Sequence, residues 1–201
     1  MPRNDHHGLA PSAVADIDTP DPGESSLCCR LPFPSDRPAV ASFRRALLVD
    51  GDRILLARHR LDDYAVWAGP GGGVEPGETH VEALARELHE ETGLILTADH
   101  APQLVWIQTA TMPWMRAQGY AGILNHYFLI PVDEFPPVSG VPHESPGHPD
   151  AEGIVEQRWW ALAAMDAAHA AGELFSPRAL PKLLRELLTD GPPATPLALG
   201  L

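Results

Sequence analysis

The order of elements predicts a mixed β-sheet held between helices, or an α+β arrangement, in one domain covering about residues 39–190 of the 201. Three observations lead there. Strand-like runs come in pairs, helical stretches interrupt them without regular βαβ alternation, and Pro-rich stretches close the pattern off at both ends. The length suits one ordinary domain with tails.

Residues 1–38 mix Pro, Asp, Ser and Gly with no apolar period, a composition that predicts a disordered or loosely attached leader. Order begins near Ala39. Residues 42–49 (SFRRALLV) and 53–58 (RILLAR), joined through Asp50-Gly51-Asp52, predict a hairpin. A short apolar segment at 65–67 leads into Gly69-Pro70-Gly71-Gly72-Gly73. A helix is predicted over about 79–91, with Gly93 placed to cap its C-terminus. Strand-like runs follow at 103–109 and 122–132, then a Pro-rich loop over roughly 134–150. Residues 155–162 return to apolar character, helices are expected near 163–171 and 181–188, and 191–201 forms a loop-like tail.

Composition narrows the function. Twenty-seven acids against 14 bases give a net charge of −13, which argues against a grip on polymeric nucleic acid through its phosphates. A small phosphorylated substrate stays compatible, because divalent cations can supply positive charge locally. Cys28 and Cys29 are adjacent, a poor arrangement for bonding to each other, and no second pair exists for a zinc site or a disulfide framework. No signal peptide or membrane-spanning run is visible, so a cytoplasmic protein is expected.

The chemistry concentrates in residues 72–94, GGVEPGETHVEALARELHEETGL. On a helix, Glu87, Glu90 and Glu91 fall within an arc of roughly 100°. Like charges at i,i+4 destabilise an isolated helix, so such a stripe asks for a cation among its members. Hard divalent ions, Mg²⁺ with Mn²⁺ as a substitute, prefer oxygen donors of this kind. Val81, Leu84, Ala85 and Leu88 form an apolar stripe turned by roughly 120° from the acids, which would pack on a sheet while the carboxylates face a cleft. Thr79 and Glu82 have capping-box spacing. The preceding glycines allow backbone to approach an ion or a phosphate closely.

Gly72, Glu78 and Arg86-Glu87-Leu88-x-Glu90-Glu91-x-Gly93-Leu94 resemble the Nudix box at every defining position. The strand pair before it, the Trp67-x-x-Pro70-Gly-Gly-Gly approach and the acidic segment ending in Arg158-Trp159-Trp160 extend the resemblance over about 39–190. It implies an α/β fold, a Nudix-type α/β/α sandwich with a mixed sheet between helices, and hydrolysis of a nucleoside diphosphate linked to another moiety. It implies Glu87, Glu90 and Glu91 as metal ligands, with the Gly72 carbonyl as a further one. Arg86 would hold the carboxylates, and Glu78 would brace the loop–helix turn.

A downstream acid often joins such centres in that family; Glu152 is preferred here over Glu156, with Glu144 third. Arg58, Trp67, Gly71 and Gly73 are the candidates for touching substrate, while Trp106, Trp114 and Tyr127 are expected mostly in the core. His126 is expected to be structural, and His143 and His148 are not assigned as ligands. Pro113 and Tyr120 do not match the spacing of the ADP-ribose or dinucleoside-polyphosphate subgroups. The expected partner is a small nucleotide, with no membrane and a homodimer left open. A Nudix-fold module that senses a nucleotide without cleaving it is the alternative; the retained Arg86 and Glu90-Glu91 speak for the enzyme. A calcium-binding helix-loop-helix is excluded by the absence of its acidic loop.

Overall fold

The computed structural model describes residues 39–61, 63–111 and 119–200. The leader, with Cys28 and Cys29, and the positions Pro113 and Trp114 lie outside the described residues. Strands β1 (Ala39–Asp50) and β2 (Arg53–Arg60) form the predicted hairpin, with Gly51 at φ 56° in the turn. Then come β3 (Ala65–Ala68), α1 (His80–Thr92), β4 (Gln103–Ala110), β5 (Tyr120–Pro131), β6 (Ile154–Ala161), α2 (Leu162–Ala170), β7 (Phe175–Ser176), α3 (Leu180–Asp190) and β8 (Leu197–Leu199). No helix among the described residues is long and apolar enough to cross a membrane.

The sheet runs β7-β3-β2-β1-β5-β4-β8, with β6 on the other side of β2. It is mixed: β1 is parallel to β5 over most of its length, while β2 is antiparallel to β6. β1 and β2 pair only beside their turn, at Val49↔Ile54 and Asp50↔Arg53. Beyond that point β2 leaves β1 for β3. The glycine-rich segment fills the place it vacates, through Arg44 N–H to the Gly72 carbonyl and Ala46 N–H to the Pro70 carbonyl, each 2.8 Å. The sheet is therefore forked, and the fork is closed by backbone.

Each face of the sheet has its own core. Ala46, Leu48, Leu55, Phe128 and Ile130 pack with Leu84 and Leu88 of α1. On the opposite face Leu47, Val49, Ile54, Leu56, Trp106 and Tyr127 pack with Met165 of α2 and Leu180, Leu184 and Leu187 of α3. Alternating residues of β1 thus serve both layers, which is why 46–49 is apolar without a break. This is the expected sandwich.

Two expectations on the elements need correction. The tail is not loop throughout: Leu197–Leu199 joins the sheet, parallel to β4 with Trp106↔Leu197 and Gln108↔Leu199. An alternating apolar run of three residues is too short to announce a strand; the open edge of β4 supplies the partner. The apolar stripe of α1 is also narrower than drawn. Val81 is exposed, whereas Ala83, Leu84 and Leu88 are buried, and Glu87 and Glu91 share that buried side.

Candidate active site

Helix α1 starts as its sequence predicts. The Thr79 hydroxyl accepts the Glu82 N–H, and the Glu82 carboxylate accepts the Thr79 N–H at 2.8 Å. The helix stops at Gly93, whose φ of 74° is the left-handed conformation glycine favours. Its first turn continues a brace made by Glu78, which accepts the Glu75 N–H at 2.8 Å and two bonds from Arg86, 2.7 Å from Nε and 3.1 Å from Nη2. Those bonds hold the Glu78 carboxyl below its ordinary range.

Arg86 is the hub of the site. Besides Glu78, it donates to Glu87 Oε1 at 2.8 Å, to Glu90 Oε2 at 3.1 Å and to the Gly73 carbonyl at 2.9 Å. Its pKa is raised, first by the hydrogen bonds to Glu78, so its charge is permanent. One cation thereby locks three carboxylates and the glycine segment into one geometry.

The carboxylates brought together differ in part from the helical trio. Glu87, Glu91 and Glu152 each place a ligand oxygen so that all lie within 4.8 Å of one another. Glu87 is 4% exposed and Glu91 0%. Glu90 stands one step aside, bound to Arg86, although its charge still raises the pKa of both Glu87 and Glu152. Glu152 arrives on the loop after β5, which is strapped to α1 by Gly140 N–H to the His89 carbonyl at 2.9 Å and Ser139 Oγ–H to the Glu90 carbonyl at 2.6 Å. Glu156 is directed elsewhere, 3.9 Å from Arg58 and 3.5 Å from Arg158.

This cluster is electrostatically incomplete. Glu87 Oε2 and Glu91 Oε1 are buried without a hydrogen-bond partner, a costly state for ionised oxygens. Burial, then the neighbouring Glu152 charge, pushes the Glu87 carboxyl up to about 7. Burial raises Glu91 and Glu152 as well. Three oxygen donors, two of them orphaned, on the buried wall of a fork fit a hard divalent cation.

The glycine segment is built against these acids. The Gly71 N–H donates to Glu91 Oε2 at 2.9 Å, and its carbonyl accepts from Arg45. A Cβ on Gly72 would stand 2.4 Å from the Glu87 carboxylate, so any side chain there would have to displace that carboxylate. Gly71 and Gly72 are buried; both polar groups of Gly71, and the Gly73 carbonyl, are engaged by the protein's own side chains. The Gly72 carbonyl already takes the Arg44 N–H and retains one further lone pair.

Trp67, the aromatic candidate for touching substrate, lies in the core. It is 1% exposed, edge-on to Trp160 at 5.1 Å, and its indole N–H donates to Glu173 at 3.1 Å. The ring offers no open face to a base. Arg58 lies over that ring, with Glu156 and Glu173 within 4 Å. Trp106 and Tyr127 are core, as expected. His126 is structural, its Nδ1 taking the bond of the buried Arg44 at 3.0 Å.

Sequence reasoning missed Arg45. Its charge lowers the pKa of Glu91 and Glu152 against the pull of burial. The available signal was the Arg44-Arg45 pair inside a strand, whose side chains must take opposite faces. Gln157 was also missed; it donates to the Glu91 carbonyl at 3.2 Å and ties β6 to the end of α1.

Known proteins resemble this chain in sequence and fold. The family model of the NUDIX domain matches residues 41–183. An uncharacterized Nudix hydrolase of Rhodococcus erythropolis is 34% identical over 123 residues, covering 59% of this chain and 60% of that protein. An RNA pyrophosphohydrolase of Halorhodospira halophila is 45% identical over 67 residues, 33% of each chain. The chain thus matches less than two thirds of the length of these relatives. The solution structure of the E. coli ORF135 protein has the same fold, with a TM-score of 0.53 at 23% identity over 78% of this chain and 96% of that one. The box, the forked mixed sheet between helices and a family model spanning most of the sequence agree: the chain belongs to the Nudix hydrolase family.

Proposed function

We propose that the chain is a divalent-metal-dependent hydrolase of a diphosphate linkage in a small nucleoside diphosphate derivative, such as a nucleoside triphosphate, a nucleotide sugar or a dinucleoside polyphosphate. The observation that carries this reading is the Glu87–Glu91–Glu152 cluster, in which Glu87 and Glu91 are buried and each has one orphaned oxygen. Mg²⁺ is the expected ion, with Mn²⁺ as a substitute. Bound there, it supplies positive charge against phosphate oxygens and polarises water.

Glu87, Glu91 and Glu152 would hold the ion. Glu90, partly exposed and tied to Arg86, is the acid best placed to accept a proton from water or to hold a second ion. Arg86 is a positioning residue, because its five donors are aimed at Glu78, Glu87, Glu90 and Gly73. The Gly72 carbonyl has one lone pair left for the ion. A pyrophosphate substrate fits this charge logic despite the net −13, since the ion and not a basic surface meets the phosphates. The names of similar proteins support the bond class: RNA pyrophosphohydrolase for one relative, and ADP ribose pyrophosphatase for one function of a bifunctional protein from Francisella tularensis with a TM-score of 0.51.

The test incubates purified protein with Mg²⁺ or Mn²⁺ and a panel of nucleoside triphosphates, dinucleoside polyphosphates, ADP-ribose, nucleotide sugars and a 5′-triphosphorylated RNA. Products are followed by chromatography. Metal-dependent cleavage of a small member that disappears in Glu91→Gln is expected. Binding without cleavage of any member would replace the enzyme by a nucleotide sensor. Preference for the RNA would overturn the small-substrate assignment.

A further inference from the structure

The geometry points to a second metal site, for a borderline divalent cation of the Zn²⁺ type, formed by His143, His148 and Asp150 in the loop between β5 and β6. Each offers one donor atom, and the three lie within 4.8 Å of one another. His143 Nε2 stands 3.0 Å, and His148 Nδ1 3.8 Å, from the same Asp150 Oδ2. Zinc–nitrogen bonds of about 2.0–2.1 Å in a tetrahedral site put donor atoms about 3.3 Å apart. These two separations bracket that value and the two imidazole nitrogens lie within 4.8 Å of each other, so side-chain adjustment would close the three donors around an ion. The imidazole rings lie 4.9 Å apart, tilted and not stacked.

The donor set separates this site from the carboxylate cluster. Two imidazole nitrogens and one carboxylate, with a position left for water, suit Zn²⁺, whereas Mg²⁺ prefers oxygen donors throughout. His143 and Asp150 are 72% and 62% exposed, so a dissolved ion reaches them. As a plain ion pair this arrangement would add little, because water screens exposed pairs. The loop backbone is already folded to present the donors. Ser145 N–H bonds the Pro142 carbonyl at 2.9 Å and His148 N–H bonds the Ser145 carbonyl at 3.0 Å, with Pro146 and Pro149 limiting the backbone between. The 3.2 Å contact from Asp150 N–H to His148 Nδ1 is the one that metal binding would displace.

The position gives the ion a use. The His148 carbonyl accepts N–H bonds from Ala151 at 2.9 Å and Glu152 at 3.3 Å. An ion on His143, His148 and Asp150 therefore pins the turn that delivers Glu152 to Glu87 and Glu91. This consequence rests on the proposed function; the binding itself does not.

The experiment titrates Zn²⁺ alone into untagged full-length protein by calorimetry, with Mg²⁺ saturating throughout, and follows Co²⁺ absorption in parallel. One equivalent is expected to bind, with affinity falling at least about tenfold in His143→Ala, His148→Ala and Asp150→Asn and staying unchanged in Glu87→Gln. Hydrogen exchange of amides 142–153 should slow with Zn²⁺ in the parent protein and not in these variants. No binding at roughly 100 μM, equal affinity in the His143→Ala/His148→Ala double variant, or a loss that follows Glu87→Gln or replacement by Ala of the adjacent histidines His6 and His7 of residues 1–38 would each overturn the site. None of these readouts depends on hydrolysis.

Discussion

Replacing Glu87 by Gln should stabilise the metal-free protein at alkaline pH and abolish most of the gain from Mg²⁺. Glu87 is 4% exposed, and its carboxyl is raised from 4.5 to about 7, first by burial and then by the charge of Glu152, with Arg86 opposing. A folded pKa above the unfolded one means that the native state holds the extra proton between those values. The Glu87 contribution to the stability of the metal-free protein is therefore most favourable below 4.5, falls as pH climbs through 4.5–7, and carries the full penalty above 7. At about 1.4 kcal/mol per unit, this rise corresponds to a penalty of about 3 kcal/mol. Gln keeps the volume and an acceptor for Arg86 but no charge. In chelator at pH 8, Glu87→Gln should be more stable than the parent by about 2–3 kcal/mol, or roughly 4–12 °C in Tm for a domain of this size. Near pH 4.5 the two should converge. With Mg²⁺ at about 100 times its Kd the parent gains about 2.7 kcal/mol by mass action, and the variant much less. Urea unfolding followed by tryptophan fluorescence measures all four conditions. A parent more stable than Glu87→Gln in chelator at pH 8 would refute the claim that the cluster is electrostatically incomplete.

Other outcomes follow from neighbouring contacts. Arg86→Ala removes every donor shared by Glu78, Glu87, Glu90 and Gly73; metal affinity, read by Mg²⁺ titration of activity, should fall by about 10–100-fold. His126 is 8% exposed and depressed to about 4 by burial and by Arg44, so it stays neutral when folded while the unfolded chain takes up a proton below 6.5. Its contribution is present above 6.5 and is lost as pH falls towards 4, by about 3 kcal/mol; His126→Gln should flatten that stretch of the stability–pH curve. Truncation after Pro196 removes β8 and uncovers the edge of β4 at Trp106–Gln108. A loss of about 2–3 kcal/mol and concentration-dependent association are expected in unfolding and light-scattering measurements, and an unchanged protein would reduce β8 to decoration.

The candidate site was legible where its chemistry is written locally. Thr79, Glu82 and Gly93 set the ends of α1, and the Arg86–Glu91 run gave the hub and most of its acids, because a helix converts spacing directly into neighbourhood. Legibility failed where tertiary contacts decide. Helical phase predicted one stripe of Glu87, Glu90 and Glu91, yet the buried side of α1 also carries Glu87 and Glu91, and the gap left by β2 brings the glycine backbone onto them. Glycine content suggested backbone close to an ion or a phosphate; it does not announce that Gly71 and the Gly73 carbonyl are engaged by Glu91, Arg45 and Arg86. Trp67 beside those glycines looked available to a base, and only the packing of Trp160 and Phe175 around it shows otherwise. Glu152 was preferred over Glu156 on its position in the loop, and the straps from Ser139 and Gly140 to α1 show the physical reason it arrives.

That arrival also bears on when the centre exists at all. Glu91 and Glu152 are joined through a long stretch of chain that includes β4 and β5, and closing a loop of that length costs about 3–4 kcal/mol in chain entropy. No local fragment of the protein contains the complete cluster. Isolated α1 would present acids that repel one another; only a chain that has already paired β1 with β5 and laid its Pro-rich loop along the helix offers the third oxygen. A cation held by all three thus recognises finished topology, and its binding distinguishes the native chain from a compact, misregistered one.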